Sequence, residues 1–293
     1  MIRRLVPIAL LVVAAAALVA VVDRSGGGRR PARPMPAHTP VVVPRPRRRH
    51  VLRSLPTPPA QVRGEAARRM AIPILTYHVI ATAPPRTAYP DLWVRPAAFT
   101  SEIDALRRAG YWAVTLRRAY DGWESGAPLP RKPIVISFDD GYRGDYTHAR
   151  SALRALGWPG VLNLELNNVR RGDLTASEVR ALIRAGWEVD SHTLTHPDLT
   201  TVSDAQLQRE LVGSKRELRS RFGVPADFFC YPAGRYDGRV EAAVKAAGYL
   251  AATTTDEGVA TARSELFALP RVRVDSSDTA RTLLARLAAD QPH

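Results

Sequence analysis

Two short segments hold most of the residues able to do chemistry. In Pro133-Ile-Val-Ile-Ser-Phe-Asp139-Asp140-Gly141 an apolar, β-branched run ends in two adjacent carboxylates and a glycine. Neighbouring residues at a strand end diverge, so the two carboxylates can take different tasks, one on a metal and one on a proton. Alone, the segment reads equally well as an Asp-Gly turn. In Val189-Asp-Ser-His192-Thr-Leu-Thr-His196-Pro197 two histidines stand four apart. On one helical turn that spacing lets both imidazoles meet one metal ion, although it also suits two surface histidines. Two histidines and a carboxylate around a divalent ion leave positions open for water and substrate. Asp139-Asp140 supplies the carboxylate, so the two segments together say more than either does.

Ser-Phe-Asp-Asp-Gly at 137–141 and Ser-His-Thr-x-Thr-His at 191–196 resemble the first two signature motifs of the polysaccharide deacetylase (NodB-homology) family. The resemblance covers roughly residues 72–275. It implies a distorted (β/α)7-type barrel and metal-dependent removal of N-acetyl or O-acetyl groups from carbohydrate. By motif position it makes Asp140, His192 and His196 the metal ligands and Asp139 the general base. Zinc is the ion expected, though the same donors accept cobalt, nickel or iron.

Phe229-Cys230-Tyr231-Pro232-Ala233-Gly234-Arg235-Tyr236 resembles the third motif, with one departure. Many members carry an arginine two positions before the proline, where Cys230 stands. That arginine pairs with the base carboxylate and tunes its basicity. Arg271, in Leu269-Pro270-Arg271, is the candidate substitute; otherwise it is a surface cation on the last strand. The Ala233 N–H is the oxyanion donor by position, and Tyr231 and Tyr236 are candidate substrate contacts. Trp93, Trp123 and Trp158 are further aromatics that could stack on sugars. The late Leu-x-His motif that supplies the family's general acid is missing. Leu75-Thr76-Tyr77-His78 resembles instead a rearranged branch in which a Tyr-His near the domain start provides that imidazole. A departing amine must be protonated, and histidine titrates in the useful range, so His78 is the expected acid. His148 reads as helix surface.

The expected substrate is an acetylated glycan containing N-acetylglucosamine: an exopolysaccharide, peptidoglycan or a chitin-like chain. An O-acetyl ester hydrolase on a xylan-like glycan would use the same residues. An inactive glycan-binding relative is the alternative from another class.

These residues need elements to position them. Eight apolar runs read as strands: Ile72–Tyr77, Trp112–Leu116, Ile134–Phe138, Val161–Leu166, Glu188–Ser191, Phe228–Tyr231, Leu250–Thr254 and Leu269–Val274. Between them the pattern predicts helices over Phe99–Ala109, Asp145–Leu156, Ala176–Ala185, Asp204–Phe222 and Arg239–Ala247. Thr175 with Glu178 and Ser203 with Gln206 are capping-box spacings, and glycines fall where helices should stop. Alternating strands and helices predict a parallel sheet, closed as a barrel or doubly wound, and periodicity does not choose between them. The working residues then belong at the carboxyl ends of strands.

The 293 residues carry a formal charge of +14, which invites a polyanion-binding reading. Its location removes that reading. Residues 1–69 hold 14 Arg against Asp23 and Glu65, a net of +12, leaving +2 for residues 70–293. The Arg- and Pro-rich segment 23–69 interleaves no aromatic with its arginines, so it reads as a disordered linker without a nucleic-acid role. Before it, Leu5–Val22 runs 18 residues without a charge, roughly 27 Å as a helix. Residues 1–22 are therefore expected to anchor the chain in a membrane, with a cleaved export signal as the rival reading. Either way the catalytic domain, residues 70–293, is expected outside the cytoplasm, membrane-anchored or secreted. The single cysteine, Cys230, rules out an intrachain disulfide and a Cys-rich zinc module.

Overall fold

Each of the eight apolar runs forms a strand. In the computed structural model, which describes residues 59–171 and 173–289, they are β1 (Ile74–Tyr77), β2 (Trp112–Val114), β3 (Pro133–Asp140), β4 (Val161–Leu164), β5 (Glu188–Ser191), β6 (Phe228–Cys230), β7 (Ala251–Glu257) and β8 (Leu269–Arg273). All pair in parallel, in the order β1-β8-β7-β6-β5-β4-β3, and β3 pairs back onto β1. Seven strands thus close a barrel, as expected, while β2 pairs outside the ring with Pro133–Val135 of β3. The barrel is uneven: β5 and β6 share only the Ser191–Phe229 pair, and the β7–β8 register shifts between Thr253 and Glu257.

The helices are α1 (Pro96–Arg108), α2 (Leu116–Ser125), α3 (Arg150–Ala155), α4 (Leu166–Arg171), α5 (Ala176–Arg184), α6 (Asp204–Phe222), α7 (Gly238–Ala246) and α8 (Ala280–Ala289). A π-helical turn over Asp145–Ala149 leads into α3, with His148 exposed. The capping box of Thr175 and Glu178 forms in full, and Ser203 accepts from the Gln206 N–H. The short α2, α4 and α8 fall outside the sequence expectation.

Period-two alternation along each strand decides what faces the barrel interior. At the amino ends, Ile74, Val135, Val161, Phe228, Ala251 and Leu269 pack into one apolar cluster. The other face of β3, Ile134, Ile136 and Phe138, packs with Phe99 and Ile103 of α1 and Leu283 of α8. Two residues further along each interior row the side chains turn polar: Thr76, Ser137, Asn163, Cys230, Thr253 and Arg271. Two more along lie His78, Asp139, Thr255 and Arg273, which line a cleft of about 540 Å3. The barrel is apolar at its base and polar at its carboxyl mouth.

The boundary expected at residue 70 lies inside the folded unit. Gln61–Val62 pairs antiparallel with Leu129–Pro130, and Glu65–Arg68 forms a helical turn whose Ala67 is buried with Trp123 and Leu129. This apolar cover is too local for composition to separate from the Arg-rich stretch before it. No helix among the described residues is long and apolar enough to cross a membrane. The expected anchor, 1–22, and linker residues 23–58 lie outside the described residues.

Candidate active site

β3 delivers both carboxylates to one cleft by breaking its own alternation. Asp139 continues the interior row of Val135 and Ser137, so Asp140 should face away. Instead Asp140 takes a left-handed backbone, φ 70°, and its carboxylate also lines the cleft. Asp140 Oδ1 lies 3.4 Å from His192 Nε2 and 3.5 Å from His196 Nε2. The three donor atoms lie within 4.8 Å of one another.

His192 and His196 are not on a helical turn, contrary to the spacing argument. The segment after β5 is irregular, and left-handed Thr193 and His196 (φ 70° and 55°) fold the two rings together at 4.8 Å. A β-branched residue at positive φ costs of order 1–3 kcal/mol and needs support from its surroundings. The Thr193 N–H donates to Ser191 Oγ, and Thr193 Oγ1 accepts from the His196 N–H at 2.8 Å. Buried Glu210 of α6 accepts from the amides of Leu194 and Thr195 and from the Thr195 hydroxyl.

The donor set fits a divalent cation. His192 Nδ1 donates to the Cys230 carbonyl at 2.8 Å, so Nε2 is the nitrogen turned toward Asp140, where it bonds the carboxylate when protonated and can ligate a cation once that proton is lost. Asp139, His192 and Cys230 also come close together, but the Asp139 oxygens already face a cation. Arg271 donates to both of them, Nη1 to Oδ1 at 2.9 Å and Nη2 to Oδ2 at 2.8 Å. Asn163 adds a third bond to Oδ1 at 2.8 Å. Asp139 and Arg271 are each only 2% exposed. Burial would raise the Asp139 pKa, but the guanidinium outweighs it and holds the carboxyl far below the usual range. Asp140 is also held low: burial opposes this, and its hydrogen bond and charge interaction with His192 prevail.

A metal-ready triad beside a charged carboxylate kept out of it can be compared with known proteins. The family model described as "Polysaccharide deacetylase" matches residues 126–252. YxkH of Bacillus subtilis, which carries that family's name, is 28% identical over 69% of this chain and 71% of its own length. The deacetylase PplD of Streptococcus pyogenes, solved in complex with acetate, superimposes with a TM-score of 0.71 at 26% identity, over 76% of this chain and all of that one. The chain belongs to the polysaccharide deacetylase family. It is also 25% identical, over 68% of its length, to the poly-β-1,6-N-acetyl-D-glucosamine N-deacetylase of Escherichia coli, but spans only 36% of that enzyme.

In this deacetylase domain the position two before Pro232 holds Cys230, whose Sγ stands 3.6 Å from Asp139 Oδ2. The cation comes from β8, separated from β3 in the ring by β1 alone. Arg271 is therefore no surface cation. Its Nε donates to the Thr254 carbonyl at 2.6 Å, which fixes the fork.

The third segment forms a 3-10 turn, Pro232–Gly234, with Ala233 left-handed at φ 52° and lining the cleft. A Cβ on Gly234 (φ +69°) would meet Thr255 Oγ1 at 1.9 Å, so only glycine lets this turn lie against β7. Tyr231 lines the cleft, but its hydroxyl donates to the Phe267 carbonyl at 3.0 Å. Tyr236 stacks on it at 4.7 Å, outside the lining. Trp123 and Trp158 are buried in the core, and Trp93 is half-buried in a short pairing with Val79.

His78 lines the cleft, with Nε2 3.9 Å from Asp139 Oδ2. Burial lowers its pKa, helped by Arg271 and His192 and opposed by the two aspartates, so its protonated form is a stronger acid than free imidazolium. Asn163 and Glu210 escaped sequence reasoning. The trace of Asn163 is a lone polar residue in the apolar run Val161-Leu-Asn-Leu, and that of Glu210 is a carboxylate among the buried Leu207 and Leu211 of α6.

Proposed function

We propose that this domain removes N-acetyl groups from an N-acetylglucosamine-containing polysaccharide by metal-assisted hydrolysis. What supports the reading is one juxtaposition: an open two-His, one-Asp donor set beside an ionised, Arg-paired Asp139 in a single cleft. Asp140, His192 and His196 would hold the ion, zinc by preference. Such an ion supplies Lewis acidity and makes water acidic enough to attack near neutral pH. Asp139 receives the proton of the attacking water, the Ala233 N–H steadies the developing oxyanion, and His78 protonates the departing sugar nitrogen. An amide substrate is favoured by His78, because an amine leaves only when protonated. The E. coli relative, named for poly-β-1,6-N-acetyl-D-glucosamine, makes that polymer the first to test. On the same reading the domain works outside the cytoplasm, tethered through the linker by Leu5–Val22.

The test is acetate release by the zinc-loaded chain from poly-N-acetylglucosamine, peptidoglycan, chitin oligomers and acetylated xylan. Release from an N-acetylated glycan is expected; release from xylan alone would replace the amide reading with the ester one. His78→Gln should slow release from N-acetylglucosamine oligomers about 100-fold. The same variant should affect p-nitrophenyl acetate much less, since nitrophenolate leaves without a proton. Equal losses on both would remove His78 from the acid role.

A further inference from the structure

Among the large apolar side chains of the described residues only two are exposed, Tyr89 at 68% and Val212 at 39%. A single exposed aromatic ordinarily means little. Tyr89 differs in its place, since it lines the same cleft as His78, Asp139 and the metal-ligand triad. The loop that carries it is fastened on both sides. At its base Val79 and Ile80 pair with Trp93 and Val94. Beyond Tyr89, Pro90–Leu92 forms a 3-10 turn in which Asp91 pairs with Arg273 of β8 at 2.5 Å and accepts from the Ser276 amide through its carbonyl. Pro84, Pro85 and Pro90 further restrict the backbone. The backbone that carries the ring is thus held at the mouth in advance, and only the two side-chain torsions of the tyrosine remain to be ordered on binding.

The cleft is also larger than the reaction needs. Cavities of roughly 300–1,000 Å3 hold drug-sized ligands, and at about 540 Å3 this one has room well beyond a single acetamido group. We infer that Tyr89 is a stacking platform for a sugar ring next to the one being deacetylated, and that it makes the enzyme select glycan chains over single sugars. The inference rests on the deacetylase reading. It adds a specificity-determining residue, since an aromatic face matches the apolar C–H face of a pyranose and excludes water from it.

The experiment is acetate release by the zinc-loaded chain from β-1,4- and β-1,6-linked N-acetylglucosamine oligomers, mono- to pentasaccharide. In the wild type KM should fall with chain length. Tyr89→Ala should raise KM for the tetramer about tenfold with kcat and monosaccharide kinetics unchanged, and Tyr89→Trp should keep the wild-type preference. An unchanged KM for the tetramer in Tyr89→Ala would overturn the inference. If the wild type releases no acetate at all, the deacetylase reading fails separately. The platform is then judged by calorimetric titration of the same oligomers: weaker binding by Tyr89→Ala upholds it, and equal or absent binding overturns it.

Discussion

If Asp139 is the base of the proposed reaction, Asp139→Asn should lower kcat/KM for acetate release by the zinc-loaded chain about 10²–10⁴-fold, the usual contribution of a positioned base, without loss of the added metal. The donor atoms of Asp140, His192 and His196 are untouched by the change. His192→Ala, in contrast, should lose both activity and metal. Elemental analysis beside the kinetics separates the two outcomes. Asp139→Asn also leaves the Arg271 guanidinium buried without its counter-charge and turns an amide N–H toward one of its donors. Breaking a buried pair costs about 3–5 kcal/mol, a fall in Tm on the order of 10 °C in a domain of this size. Assays therefore belong well below the wild-type transition, with folding checked by circular dichroism. Full activity in Asp139→Asn would remove it from the base role, and loss of zinc would place it among the ligands.

Arg271→Met should shift the acid limb of the kcat/KM–pH profile upward by about 1–3 units, with Arg271→Lys in between. In the wild type the guanidinium holds the Asp139 pKa below the ordinary carboxylate value. The stabilisation from the ionised pair is therefore complete above the unfolded-state pKa of about 3.9, and it is lost as pH falls toward the depressed folded value. Without the cation, burial is the main remaining influence and it raises the pKa. The base is then protonated over a range where the wild type keeps it charged. The loss of stability should be near 3–5 kcal/mol at neutral pH and smaller in acid, where a neutral Asp139 no longer needs a partner. An acid limb that stays in place in Arg271→Met would sink the pairing as the source of the base's charge state.

The strands, most of the helices and four of the polar side chains at the barrel mouth are legible locally, whereas closure into a ring is implied only by the family resemblance. β-Branched runs, capping boxes and stop glycines mark the elements, and Asp139, Asp140, His192 and His196 sit in short contiguous motifs. Period-two alternation even places Arg271 on the inner face with Leu269, but it does not say which carboxylate a residue 132 positions away will meet. The histidine spacing pointed to two rings that do come together, but through a different local geometry. An irregular turn with left-handed Thr193 and His196, braced by Glu210, does what a helical turn was expected to do.

Covalent neighbourhood alone pointed to the family, because its paired carboxylates and closely spaced histidines lie in short contiguous motifs that can be read without the fold. Ring closure decided the rest, because it sets distances between residues far apart in sequence. It brings β8 within one strand of β3, so Arg271 serves Asp139 while Cys230 stands at the motif position. It buries residues of the expected linker under the barrel base. It also fastens the loop of Tyr89 to Arg273 at the cleft's rim, a contact 182 residues apart along the chain.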